Sequence, residues 1–301
     1  MGRNLIASLA ALGALALLGH IYAPPLIAAL SQPGTGGGST ASDVTAPPPV
    51  DIVVGLESWL FPGWDYLVDE RPLQTQAAID HAVTLAMQVR ARGSRIVVLL
   101  VPNKARAHTD HLPPERAHWT RHYGQGLEKL ADTLRGHGLD VLVADAEFYP
   151  RDAHWTAESS EVVAREVALR LSDLYRPEGP ILPLPRWISE QRYGDLATLA
   201  RSRGDLRWEK DTFQRRDYVP PLEGDPLVEI VGNSLIDTYY GFPQELSRQL
   251  RAPVTYRVRH DGAGPWQAMQ DYLDANTPRP VVVWQLQETS FSSFETDSQN
   301  P

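Results

Sequence analysis

Beyond residue 50, short apolar runs alternate with longer stretches in which apolar residues return at every third or fourth position. The run RIVVLLV at Arg95–Val101 has no polar alternation, so it predicts a strand covered on both faces rather than one with a wet side. Residues 73–92 carry Ala77, Ala78, His81, Ala82, Leu85, Ala86 and Val89 at helical spacing, and Gly93 ends the pattern. The same reading predicts helices over 123–136, 156–175, 243–250 and 266–275. Further strands are predicted over 140–144, 227–231, 254–258 and 281–284. Strands alternating with helices predict an α/β fold, a mainly parallel sheet between helical layers.

Three stretches break the rhythm. Residues 177–226, rich in Pro, Arg and Asp, read as an excursion over one edge of the sheet with a short helix after Asp195. Residues 287–301 read as a polar, frayed tail. Residues 31–50 are nearly all Gly, Ser, Thr, Ala and Pro, too poor in apolar surface to offset their ordering entropy, so they read as a flexible linker. The folded domain is therefore expected over 51–286. In front of the linker, Arg3 precedes an apolar run from Leu5 to Leu18 that continues with interruptions to Leu30. Residues 1–30 fit either a cleaved signal peptide or a membrane anchor. With its positive end held in the cytoplasm, the anchor is the reading we favour, which puts the domain in the periplasm, tethered to the inner membrane.

Composition narrows the function. A formal net charge of −9 and the lack of a basic stripe argue against nucleic acid as partner. Arg201, Arg203 and Arg207 form a short cationic run that reads as a solvated helix face or a local patch. The chain has 0 Cys, which excludes disulfides, thiol catalysis and thiolate zinc sites. His108, Asp110 and His111 have metal-like spacing, but no third convergent ligand suggests itself, so neither a metal nor any other cofactor is expected.

Ligands of open α/β sheets bind beyond the carboxyl ends of the strands, which directs attention to polar residues there. Gly232-Asn233-Ser234 follows one predicted strand. Gly lets the chain turn sharply, and a serine after it presents a hydroxyl with its own N–H placed for an oxyanion. A helix-capping serine fits the tripeptide equally well. Asp152-Ala153-His154-Trp155 precedes a predicted helix, and residues i and i+2 of an extended segment share a side. That allows a carboxylate to orient an imidazole whose other nitrogen takes a serine proton. Alternatively, Asp152 or Thr156 only caps the helix. Asn103, after the first strand of the series, is a further candidate oxyanion donor or a simple turn former. Trp155, Tyr149, Tyr239 and Tyr240 are placed either to stack on sugar rings or to pack the core.

Taken together, Asp152-Ala153-His154-Trp155 and the later Gly232-Asn233-Ser234 resemble the alginate O-acetyltransferase family of AlgX/AlgJ type, SGNH-hydrolase-like periplasmic proteins. Gly55 with Trp59-Leu60-Phe61, Val101-Pro102-Asn103-Lys104, Leu112-Pro113 and Gly194-Asp195-Leu196 add to the likeness. The resemblance implies an SGNH-hydrolase-like (flavodoxin-like) sheet, Ser234 as acetyl carrier, His154 as base and then acid, and Asp152 as its orienting carboxylate. From their places beside these motifs, Asn103, Gly232, Asn233, Trp155 and Tyr239 are the candidate oxyanion or substrate contacts. The resemblance also implies a membrane-bound O-acyltransferase as acetyl donor and a secreted exopolysaccharide as acceptor. The order Asp, His, Ser along the chain is that of the acetyltransferases, whereas in ordinary SGNH esterases the serine comes first. Leu235 after the serine departs from the family's frequent aromatic. A carbohydrate acetyl esterase on the same three residues, and a noncatalytic polysaccharide-binding assembly protein, are the competing readings.

Overall fold

Alternate side chains of Arg95–Val101 point to opposite faces of a sheet, and both faces are dry. Val97, Leu99 and Val101 enter one core, while Ile96, Val98 and Leu100 enter another. The computed structural model describes residues 52–63, 75–114, 126–175, 179–218, 221–260 and 264–292. The expected leader over 1–30 and linker over 31–50 lie outside the described residues.

In chain order the strands are β1 (Ile52–Val54), β2 (Leu60–Pro62), β3 (Arg95–Val101), β4 (Asp140–Val143), β5 (Trp187–Arg192), β6 (Asp211–Arg216), β7 (Val228–Gly232), β8 (Val254–Val258) and β9 (Val281–Gln287). The helices are α1 (Thr75–Ala91), α2 (Lys104–Ala107), α3 (Gly126–Gly136), α4 (Ala157–Arg170), α5 (Asp195–Ser202), α6 (Phe242–Leu250), α7 (Gly264–Ala275) and α8 (Glu288–Ser292). β3, β4, β7, β8 and β9 form an all-parallel sheet in the order β4-β3-β9-β7-β8. Helices α4 and α6 cover one face through Val163, Val167, Phe242 and Leu246. Helices α1, α3 and α7 cover the other through Leu85, Val89, Leu134 and Met269. This is the predicted α/β fold.

Counted from β7, the strand that leads to Ser234, the order reads 2-1-3-4-5. That is the flavodoxin-like order, whose ligand crevice lies between its first and third strands; those strands are β7 and β9 here. The chain passes through this arrangement from a different starting strand, so the His154 loop after β4 precedes the Ser234 loop after β7. The Asp, His, Ser order follows from that topology.

Two small antiparallel ribbons flank the sheet and were not predicted. β1 pairs with β2, and β5 pairs with β6 from Trp187↔Arg216 to Arg192↔Asp211. The second ribbon, with α5, occupies most of the excursion over 177–226. The frayed tail expected from Gln287 is corrected over its first residues. Gln287 closes β9, and Glu288, Thr289, Ser290 and Phe291 are buried in or beside α8. Glu288 is held there by Arg106 Nε at 2.8 Å, so the polar residues found a protein partner that composition does not reveal.

Candidate active site

The Ser234 loop is shaped by what surrounds Gly232 rather than by the serine. A Cβ at Gly232 would lie 2.5 Å from Gln285 Oε1, so any larger residue at the end of β7 would have to push this side chain aside. That oxygen accepts Asn233 N–H at 3.0 Å, and Asn233 Oδ1 accepts Leu235 N–H at 3.0 Å. Asn233 thereby caps the 3-10 turn Ser234–Ile236. Ser234 is half-buried at the start of this turn, and its N–H has no acceptor among the described residues.

The histidine loop lies across the carboxyl edge of the sheet. His154 Nε2 is 2.8 Å from Ser234 Oγ, and Nδ1 is 2.6 Å from Asp152 Oδ1. With Nδ1–H donating to the carboxylate, Nε2 is left to accept the serine proton. Asp152 is fully buried and receives three more donors: His154 N–H at 3.0 Å and Tyr240 O–H at 3.3 Å on Oδ1, and Asp195 N–H at 3.0 Å on Oδ2. The Tyr240 ring stacks on the imidazole, with centroids 4.6 Å apart and planes at 17°. Lys104 fixes the loop from below. Its Nζ, fully buried, donates to the carbonyls of Leu60, Tyr149, Pro150 and Asp152 at 2.7, 2.7, 2.8 and 2.9 Å.

Burial would push the Asp152 carboxyl up, but the His154 charge and its hydrogen bond outweigh it and hold the carboxyl well below the usual range. Burial would likewise lower His154. Asp152 overcomes that, with further help from Asp195 and Asp237, so the imidazole is more basic than usual. Asp195 goes the other way: burial, then the neighbouring Asp152 charge, push it up to about 6. The pair Asp152 and Asp195 is thus split into a strong and a weak acid around one imidazole.

The structure brings Asp152, His154 and Ser234 together as expected and relocates most of the other named residues. Trp155 is fully buried against Phe242, at 5.5 Å between centroids, so it packs the core and is closed to a sugar ring. Tyr149 and Tyr240 are buried too, Tyr149 donating to Gln214 O at 2.6 Å. Tyr239 is half-buried. Its hydroxyl donates to Glu190, and Arg192 lies 4.3 Å over its ring, so this face is already occupied. Asn103 is fully buried, and its Oδ1 accepts Thr289 N–H at 3.1 Å, tying the end of β3 to α8. Gly232 and Asn233, named as substrate contacts, shape the turn instead, and the Asn233 N–H is taken by Gln285.

The arginine run is engaged locally, Arg201 donating to Leu206 O and Trp208 O at 2.8 Å each. His108 accepts Phe148 N–H at 2.9 Å, and burial then the Lys104 charge lower it to about 4, so it is a neutral structural residue beside Trp59. The donor atoms of Asp152, His154 and Asp195 lie within 4.8 Å of one another, as a metal would require. A cation on Nδ1 would have to displace the proton that joins His154 to Asp152, so these residues fit a proton relay better than a metal. Asp195, Lys104 and the hydroxyl of Tyr240 are the functional candidates that spacing alone missed. Asp195 and Lys104 stood within Gly194-Asp195-Leu196 and Asn103-Lys104, with nothing local to show what they face.

A parallel three-layer domain with a serine, histidine and aspartate hydrogen-bonded in series beyond its strand ends is an architecture that SGNH-hydrolase-like proteins share with other α/β hydrolytic folds. A family model described as "SGNH hydrolase-like domain, acetyltransferase AlgX" matches residues 52–288, and the chain belongs to that family. The probable alginate O-acetylase AlgJ of Pseudomonas putida is 26% identical over 269 residues, covering 79% of this chain and 69% of that protein. Its counterpart from Pseudomonas syringae pv. tomato is 26% identical over 272 residues, covering 79% and 68%. Among solved structures, the O-acetyltransferase domain of Pseudomonas putida AlgJ superposes with a TM-score of 0.67 at 24% identity, over 84% of this chain and 96% of that one. Pseudomonas aeruginosa AlgX gives 0.61 at 18% identity, over 79% and 62%.

Proposed function

We propose that this protein is a periplasmic O-acetyltransferase that carries acetyl groups on Ser234 to hydroxyls of a secreted polysaccharide. The observation that carries the reading is the unbroken series Ser234 Oγ, His154 Nε2, His154 Nδ1, Asp152 Oδ1, with steps of 2.8 and 2.6 Å across the ring. Ser234 Oγ attacks the acetyl carbonyl while its proton passes to His154 Nε2. The oxyanion forms beside Ser234 N–H. His154 returns the proton to the departing oxygen of the donor, leaving acetyl-Ser234. A sugar hydroxyl then attacks the ester, His154 takes its proton, and the serine leaves with that proton restored. Asp152 holds the tautomer and the charge of the imidazolium throughout.

Membership of the AlgX-type family and the relatives' description as probable alginate O-acetylases support acetyl transfer to alginate or a related exopolysaccharide. The apolar leader supports delivery to the periplasmic side, where a membrane-bound O-acyltransferase is the fitting acetyl donor. A Ser234→Ala protein expressed in the deletion strain tests the reading. Unacetylated polymer is the expected result, and full acetylation contradicts it.

A further inference from the structure

Asp195 is the second carboxylate at His154, and its two oxygens are used very differently. Oδ1 accepts Ala153 N–H and Leu196 N–H, each at 2.7 Å, which locks the side chain at the start of α5. Oδ2 is buried, accepts no hydrogen bond among the described residues, and lies 3.6 Å from His154 Nδ1. The neutral imidazole has one proton on Nδ1, and Asp152 already takes it. Helix capping accounts for Oδ1 alone. A buried carboxylate oxygen without a donor is costly, and this one faces the ring that becomes cationic during the reaction.

We propose that Asp195 is a positioning residue for the acyl transfer proposed above, stabilising the His154 imidazolium through Oδ2 from a post fixed by two backbone N–H groups. The inference rests on that reading of the site. When His154 takes the serine proton, the new positive charge lies between two carboxylates. The near-neutral affinity of Asp195 for a proton, raised by burial and by Asp152, then falls as the imidazolium forms. Charged or titratable groups face the pair from every element around it. Asp152 lies on the same loop as His154, Lys104 on α2, Arg192 at the end of β5, Tyr240 on the 3-10 turn Thr238–Tyr240, and Asp237 just before that turn. Of these, Asp152 and Asp237 support the cation together with Asp195.

Asp195→Asn separates this role from capping, because the amide oxygen still accepts both N–H groups. The rate of Ser234 modification by an aromatic sulfonyl fluoride is followed from pH 4.5 to 9 in the full chain, with thermal unfolding as a control. The expected variant is folded and labels at Ser234 roughly tenfold more slowly on the alkaline plateau. Its acid limb moves to lower pH, since removing a negative charge makes His154 less basic. A folded variant with the parent's rate and limb overturns the inference and leaves Asp195 a cap. A parent that does not label at Ser234 overturns the acyl-transfer reading instead. Should the variant not fold, carbon-13 NMR of aspartate-labelled parent protein decides: Asp195 titrating in step with His154 supports the role, and Asp195 unchanged across that range contradicts it.

Discussion

Replacing Lys104 by methionine keeps most of the side chain's volume and removes one ammonium group, so it isolates the clamp under the histidine loop. The ammonium's three N–H protons, shared among four carbonyls at 2.7 to 2.9 Å, go with it. Bonds to charged groups contribute about 1.5–3 kcal/mol each, or roughly 5–9 kcal/mol for three donated protons. Taking the ammonium out of water costs several kcal/mol in the parent, which offsets about half of that sum. Pro150 O keeps Leu60 N–H at 2.9 Å, which softens the loss at one carbonyl. The net expectation is a destabilisation of about 3–5 kcal/mol. For a domain of this size that lowers Tm by roughly 6–20 °C. Because Asp152 O is one of the four carbonyls, the fraction that stays folded at low temperature should also label at Ser234 at least about tenfold more slowly. Urea midpoints and the labelling rate at 10 °C measure the two effects. A Tm within about 2 °C of the parent, with unchanged labelling, would refute the idea that this cation holds the loop.

The weak acid Asp195 makes a stability prediction opposite in sign to its activity prediction. Its folded value of about 6 lies above the ordinary 3.8, so stability is full below about pH 4 and is lost as pH rises through 6. At about 1.4 kcal/mol per pH unit the loss is up to about 3 kcal/mol. Asp195→Asn should therefore be more stable than the parent by about 1–3 kcal/mol at pH 8 and equal to it near pH 4, measured by urea unfolding at both. A difference that persists undiminished at pH 4 contradicts this. Gly232→Ala drives a Cβ to within 2.5 Å of Gln285 Oε1 and 3.0 Å of its Cβ. A cost of about 1–3 kcal/mol is expected, together with loss of labelling at Ser234, and a fully active alanine variant would show that the turn tolerates another path.

The central strands were legible because burial on both faces leaves a run such as Arg95–Val101 nothing polar to carry, and β3 and β8 match the prediction at both ends. The short ribbons were not. Trp187–Arg192 reads WISEQR, and its pairing depends on distant residues such as Gln214 and Arg216 rather than on its own pattern. The same limit applies to the site. Asp152 and His154 sit two residues apart and announce themselves, and Ser234 follows a recognisable strand and glycine. Asp195 begins a helix like many capping acids, and only the fold of residues 187–216 turns its Oδ2 toward His154. Trp155 shows the converse limit: its neighbour His154 reaches the cleft, while its own side chain turns inward to pack against Phe242 of α6, and only the structure decides between its two readings.

Intact-mass analysis of the protein after brief exposure to p-nitrophenyl acetate addresses the central claim most directly. The account predicts one acetyl group, mapped by proteolysis to Ser234, in the parent and none in Ser234→Ala or His154→Ala. An unmodified parent, or an acetyl group carried elsewhere with Ser234 free, would contradict it.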